Sequence, residues 1–182
     1  MKNYCREYQV ELNKENFLGK GMFSKAYKIG EKVILVSDDN AKECLALFCQ
    51  IENKHIPVCS RLDDIGEKSG YEMPYYKPLK ARESKQAWKD YKTIKKCIDS
   101  IPFQERQKYV CFEGYRKAFK ACQGLSEELK EALTCLVSEM QNYCDEIFVE
   151  ISPRNAKVDE KGNLILLDII GETESLRKKR KF

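Results

Sequence analysis

Histidine and tryptophan occur once each in these 182 residues, no apolar run approaches bilayer length, and the nine cysteines include no Cys-x-x-Cys pair. Each shortage closes off a class. The one histidine, His55, has no cysteine or histidine at ligand spacing, so a zinc centre is not expected and His55 reads as a loop or strand-edge residue. Cys5, Cys44, Cys49, Cys59, Cys97, Cys111, Cys122, Cys135 and Cys144 are odd in number, and several fall on apolar helical faces. They read as reduced core residues, because free cysteine packs as a small hydrophobe. Without a membrane-length run no membrane partner is expected. Met1-Lys2-Asn3-Tyr4-Cys5-Arg6-Glu7 has no apolar leader core, which points to a cytoplasmic protein. Neither internal repeats nor low-complexity stretches appear, apart from a basic tail.

Hydrophobic content of 42% with 34% charged residues is that of a soluble globular chain. The length suits one domain, or two lobes sharing a cleft. The net charge is +4, but Arg177, Lys178, Lys179, Arg180 and Lys181 supply five positive charges at the end, leaving the rest at −1. The basic character therefore belongs to a solvated tail. Nucleic acid is not the expected partner, except through that tail.

The stretch from Glu150 to Gly171 carries the most chemistry. It holds a carboxylate at Glu150, an amide at Asn155 and a second carboxylate at Asp168. Ala156 to Val158 and Leu164 to Leu167 read as two short strands, joined by the turn Asp159-Glu160-Lys161-Gly162-Asn163. Such a hairpin brings Asn155 and Asp168 together at its open end. Two oxygen ligands beside a further carboxylate suit a hard divalent cation and the phosphates it accompanies.

Upstream, Tyr8 to Leu12 and Phe17 to Leu18 predict a short extended opening. Gly19-Lys20-Gly21-Met22-Phe23-Ser24-Lys25-Ala26-Tyr27 follows, a glycine-rich turn of the kind that lies over phosphates, since amides approach closely only where no Cβ intervenes. The strands Lys25 to Ile29 and Lys32 to Ser37 are separated by Gly30-Glu31. Pairing Ile29 with Lys32 across that loop sets Lys28 opposite Val33 and Ala26 opposite Leu35, all four on one face. A helix is predicted over about 40–52 and carries Glu43. Ile56 to Ser60, Leu62 to Ile65 and Tyr71 to Met73 read as strands. Pro74-Tyr75-Tyr76-Lys77-Pro78 reads as an extended connector.

The second half is helical. Ala87, Trp88, Tyr91, Ile94 and Ile98 trace one face of a helix begun near Ser84. The segment 101–123 is less regular and is helical from Gln104 onward. Ser126 caps a helix with the stripe Leu129, Leu133, Leu136, Val137, Met140, Tyr143 and Cys144. It delivers the chain to Ile147-Phe148-Val149 and Glu150.

This order of parts resembles the protein-kinase fold: glycine loop, hairpin, one helix, two strands, hinge, long helix, catalytic loop and metal-binding hairpin. The compact size resembles the small kinase-like proteins of tailed bacteriophages, some of which modify host proteins. The resemblance implies an α+β, two-lobed fold. It divides the chain into a β-rich nucleotide-binding lobe over 1–73, a hinge over 74–78, a reduced helical lobe over 79–171 and a basic tail over 172–182. It implies that Gly19, Lys20, Gly21, Phe23, Ala26 and Lys28 line a nucleotide site, with Met73 as gatekeeper and Tyr75 in the hinge whose backbone holds adenine. Glu150 takes the place of the catalytic aspartate, Asn155 and Asp168 hold magnesium, and Asp168-Ile169-Ile170-Gly171 stands for Asp-Phe-Gly.

The departures are equally specific. The lysine that would hold the α- and β-phosphates falls at Leu35, leaving Lys20, Lys25 and Lys28 as candidates to replace it and Glu43 without its usual partner. Glu150 is one methylene longer than aspartate, which shifts the base relative to the hydroxyl. Eleven residues follow Gly171, so the bracing usually given by an activation segment falls to 99–125, to a second copy in a homodimer, or to another partner.

The expectation is an ATP- and magnesium-dependent kinase acting on Ser or Thr of a protein substrate, in the host cytoplasm if phage-encoded. The alternatives are a pseudokinase that grips a host protein without turnover, a small-molecule kinase of the aminoglycoside or choline kinase type, and an unrelated α+β protein in which Asn155 and Asp168 are turn residues.

Overall fold

The computed structural model describes residues 4–21, 23–39, 42–44, 46, 52–102, 112–143 and 145–173. It is a mixed α+β protein whose chain divides into two compact units, Met1–Gln50 with Pro57–Tyr75, and Ile51–Ile56 with Tyr76–Phe182.

In the first unit, β1 (Tyr4–Cys5) and β2 (Val10–Glu11) form a small hairpin. β3 (Phe17–Lys20), β4 (Ser24–Ile29), β5 (Lys32–Ser37), β6 (Ser60–Ile65) and β7 (Lys68–Pro74) make an antiparallel sheet in the order β3-β4-β5-β7-β6. The Gly30-Glu31 loop sets the register read from the sequence: Ile29 faces Lys32, Lys28 faces Val33 and Ala26 faces Leu35. Gly30 supplies the positive φ, +59°, that this tight turn needs.

Period-two alternation then sorts the strands into two faces. Tyr27, Ile34 and Val36 pack with Cys5, Leu12 and Ile65 into a buried cluster, so the β1–β2 segment covers that side. Ala26, Lys28, Val33 and Leu35 share the other side with Tyr71 and Met73, which pair with Leu35 and Val33. The opening differs from the expected strand over 8–12. It is a hairpin turning through residues 6–9, with Gln9 at a φ of 50°. Residues 56–59 are not a strand: Ile56, Pro57 and Cys59 are buried in irregular chain, and pairing with β7 begins at Ser60. Of the helix predicted over 40–52, the described residues 42–44 and 46 are helical. Residue 52 is described and not helical, and the others lie outside the described residues.

In the second unit, β8 (Lys77–Pro78) is followed by α1 (Lys85–Ser100), α2 (Phe112–Ala121) and α3 (Glu127–Met140). The predicted start of α1 after Ser84 holds, and Ala87, Asp90, Tyr91, Ile94, Cys97 and Ile98 form its buried face. For 101–123, residues 103–111 lie outside the described residues and α2 supplies the helix. Ser126 caps α3 as its sequence predicts, its hydroxyl accepting from the Leu129 amide at 3.2 Å. Leu129, Leu133, Leu136, Val137 and Met140 are buried. The stripe ends there, because the helix stops at Met140 and leaves Tyr143 in an exposed turn.

β9 (Ile147–Val149) pairs with β12 (Ile170–Glu172), and β10 (Ala156–Val158) lies between β8 and β11 (Leu164–Leu166). The connector is thus shorter than expected. Pro74 closes β7 opposite Lys32, and Pro78 sits in the edge strand β8 opposite Lys157, where a missing N–H is tolerated. Residues 51–56, which the sequence division put with the strand-rich half, group with the second unit. The reason is His55. Its backbone carbonyl accepts from Leu166 N at 2.9 Å, and its Nδ1 meets the Leu164 carbonyl at 2.7 Å. His55 therefore caps the open side of β11 in the way a further strand would.

Candidate phosphate and metal site

Three backbone-anchored contacts gather Glu150, Asn155 and Asp168. Asn155 lies at the mouth of the β10–β11 hairpin, where its carbonyl accepts from Leu167 N at 2.9 Å and its Nδ2 donates to the Asp168 carbonyl at 2.7 Å. Glu150 leaves the end of β9 with its amide donating to the Ile169 carbonyl at 2.8 Å. The hairpin is closed at its far end by the turn the sequence marks: Gly162 takes a φ of +84°, and Asp159 accepts from the Asn163 amide at 2.8 Å and from its side chain at 2.8 Å.

The chemistry of this set fits a hard cation. With Nδ2 turned to the Asp168 carbonyl, Asn155 keeps its Oδ1 as a ligand, and the exposed Asp168 carboxylate adds charged oxygens. No group of three or more His, Cys, Asp or Glu residues among the described ones forms a full metal cage. An amide and one carboxylate suit magnesium, which keeps waters and takes phosphate oxygens to complete its octahedron. Glu150 is exposed beside them.

The glycine of Asp168-Ile169-Ile170-Gly171 has a structural cause. Gly171 pairs with Phe148 across β12 and β9, and a Cβ there would come within 2.3 Å of the Phe148 ring. Lys157, two residues beyond Asn155, was not singled out by the sequence reading. It is half-buried, desolvation holds its ammonium below the ordinary lysine range, and no carboxylate pairs with it among the described residues.

Behind the hairpin, His55 is 4% exposed, and its Nε2 is buried without a hydrogen-bond partner among the described residues. Asp90 of α1 is buried. Burial pushes its carboxyl up, against the lowering effects of the Gln86 amide, which donates at 2.7 Å, of His55 and of Lys89. His55 thus sits in a turn at the edge of β11, as expected of a loop or strand-edge residue, but it is buried there, which its isolation in sequence does not suggest. Only its flanking Ile56 and Pro57 hinted at burial.

The first unit carries the glycine loop. Gly21 donates to the Ser24 carbonyl at 2.8 Å, closing the turn. A Cβ at Gly19 or Gly21 would meet nothing within 4 Å, and neither glycine has a left-handed φ. Space and backbone conformation therefore do not require glycine at either position, and the Gly21 amide is already donated to Ser24. Met22 lies outside the described residues. Phe23 is partly buried, and its carbonyl accepts from Asp38 N at 3.3 Å.

Of the three lysines proposed to replace the one missing at Leu35, the ladder separates them. Lys20 pairs with Lys25, one step out of phase with Ala26, while Lys28 stands on the Ala26–Leu35 face. The Lys28 ammonium lies 4.1 Å from the centroid of the Tyr75 ring, a cation–π contact. Tyr75 donates its amide to the Glu31 carbonyl at 2.8 Å, so that N–H is already committed and not free for a base. Met73 is buried opposite Val33. Glu43 is exposed, and its charge is felt by Arg61 and Tyr71.

No protein-family model and no curated protein matches the chain. Among solved structures it is similar to the choline kinase LicA from Streptococcus pneumoniae, at 13% identity and a TM-score of 0.33, over 92% of this chain and 69% of that one. So loose a superposition leaves the site to be read from the chain's own residues. No helix among the described residues is long and apolar enough to cross a membrane.

Proposed function

We propose that the protein is a magnesium-dependent phosphotransferase of protein-kinase-like fold that uses ATP, with a Ser or Thr hydroxyl of a protein as acceptor. The observation that carries the reading is the meeting of Glu150, Asn155 and Asp168 through the Asn155–Asp168 and Glu150–Ile169 hydrogen bonds. Three residues with oxygen-bearing side chains, separated by up to eighteen positions, are held by these bonds near one hairpin mouth, in the order and spacing of a kinase-like catalytic loop and metal-binding strand pair. In the first unit, two glycines that the fold does not need lie in the loop expected over phosphates.

In this reading Asn155 and Asp168 hold the metal, which neutralises charge on the phosphates. Glu150 accepts the proton of the acceptor hydroxyl. The hydroxyl oxygen bonds to the γ-phosphorus as the β–γ bridging oxygen departs with the bond's electron pair on ADP. With Leu35 in place of the lysine, turnover is slower than in a kinase that has it.

A pseudokinase that binds a host protein is the second reading, favoured by Leu35 and by the Tyr75 amide being committed to Glu31. Purified protein incubated with radiolabelled ATP, magnesium and cell extract separates the two. Under the proposal it labels itself or an extract protein, and Asp168→Ala lowers the labelling at least a hundredfold, while the Asp168 carbonyl still accepts from Asn155. ATP binding without labelling supports the pseudokinase. Neither binding nor labelling overturns both.

A further inference from the structure

We propose that Lys157 is the cation that grips the phosphate chain of the nucleotide, filling the role left open at Leu35. The inference rests on the phosphotransferase reading and assigns a residue to its phosphate-binding step. β10 places Lys157 opposite Ile165 and Pro78, and the Leu167–Asn155 hydrogen bond carries the ladder one step past β10. Asn155, in the turn that enters β10, and Lys157, two residues on, therefore stand in the same phase of the ladder. A lysine stem spans that separation, so its ammonium reaches the space beside the Asn155 amide and the metal it would hold.

The surroundings point the same way. The side chain is half-buried, and no carboxylate pairs with it among the described residues. Ala156 and Val158, on the opposite side of β10, are buried, as is the cross-strand neighbour Ile165. A cation kept out of water without a counter-ion is costly, and a bound anion removes that cost. Lys32, Lys54, Lys68, Lys80, Lys95 and Lys130, by contrast, each sit against a carboxylate. In the first unit, Lys28 is spent on the Tyr75 ring. Phosphate is the anion this position suits, because lysine binds it as a point charge through any of three donors.

Calorimetric titration of wild type and of Lys157→Met, Lys157→Gln and Lys157→Arg tests this, with magnesium–ATP, magnesium–tripolyphosphate and adenosine as probes. Methionine keeps the apolar stem and removes only the charge. The expected result is a loss of tenfold or more in affinity for ATP and tripolyphosphate in the Met and Gln variants. Lys157→Arg should retain most of the affinity, and adenosine binding should not change. Wild-type affinity in both neutral variants, each melting as the wild type does, overturns the assignment and makes Lys157 a stem laid along apolar surface. A wild type that binds neither ATP nor tripolyphosphate overturns this inference together with the phosphotransferase reading. The two failures are therefore distinguishable.

Discussion

The mouth of the β10–β11 hairpin, in the second unit, and the glycine loop between β3 and β4, in the first, are built in opposite ways. At the hairpin, every residue of interest is tied by backbone. Asn155 is bonded to Leu167 and Asp168, Glu150 to Ile169, and Gly171 is forced to be glycine by the Phe148 ring. At the loop, Gly19 and Gly21 have open space where a Cβ would stand and no conformational need for glycine. One site is determined by the fold whether or not a ligand comes. At the other, neither space nor backbone conformation accounts for the glycines. Under the proposed reading, geometry that would hold a metal gains from being preorganised, whereas a loop that would close over phosphates can be less constrained.

Substituting the glycines breaks or sharpens that contrast most directly. Gly171→Ala should destabilise the protein by about 1–3 kcal/mol, the range for overpacking a tight contact, and so lower the melting temperature by about 2–4 °C for each kcal/mol. Adding Phe148→Leu should restore part of the loss. A Gly171→Ala protein that melts like wild type would remove the structural explanation for that glycine.

Gly19→Ala and Gly21→Ala should leave stability within about 0.5 kcal/mol of wild type while weakening ATP binding about tenfold. A fall in melting temperature with ATP affinity intact would reverse the comparison, making the loop glycines structural too.

The smallest effect concerns how the hairpin is backed by His55 and α1. Asp90 has a native carboxyl held above its ordinary value of 3.8 chiefly by burial. Its contribution to stability is therefore fully present below that value and is lost as pH rises through the native one. Asp90→Asn cannot ionise, and its side-chain oxygen can still accept from Gln86. Relative to wild type it should gain stability between pH 4 and pH 7, read from denaturant midpoints. A difference that does not change with pH would show that Asp90 is not desolvated in the folded protein.

Much of this was legible locally. Gly30-Glu31 specified the β4–β5 register, because a two-residue loop permits one pairing. Asp159 to Asn163 specified the hairpin that joins Asn155 to Asp168, and Ser126 marked the start of α3. The illegible parts depend on partners distant in sequence. His55 looked isolated because its neighbours, Leu164 and Leu166, lie more than a hundred positions away. Lys157 looked like one lysine among many, since nothing local says that a strand residue will be desolvated without a counter-ion.

The sequence by itself determined the short-range geometry: turns, caps, strand alternation and the spacing that lets an amide and two carboxylates converge. Tertiary structure alone decided that Lys157 is half-buried with no carboxylate partner among the described residues, which glycine a ring crowds, and which amide is already spent. Those outcomes turn on burial and close approach, and both are set by residues that meet only once the chain has folded.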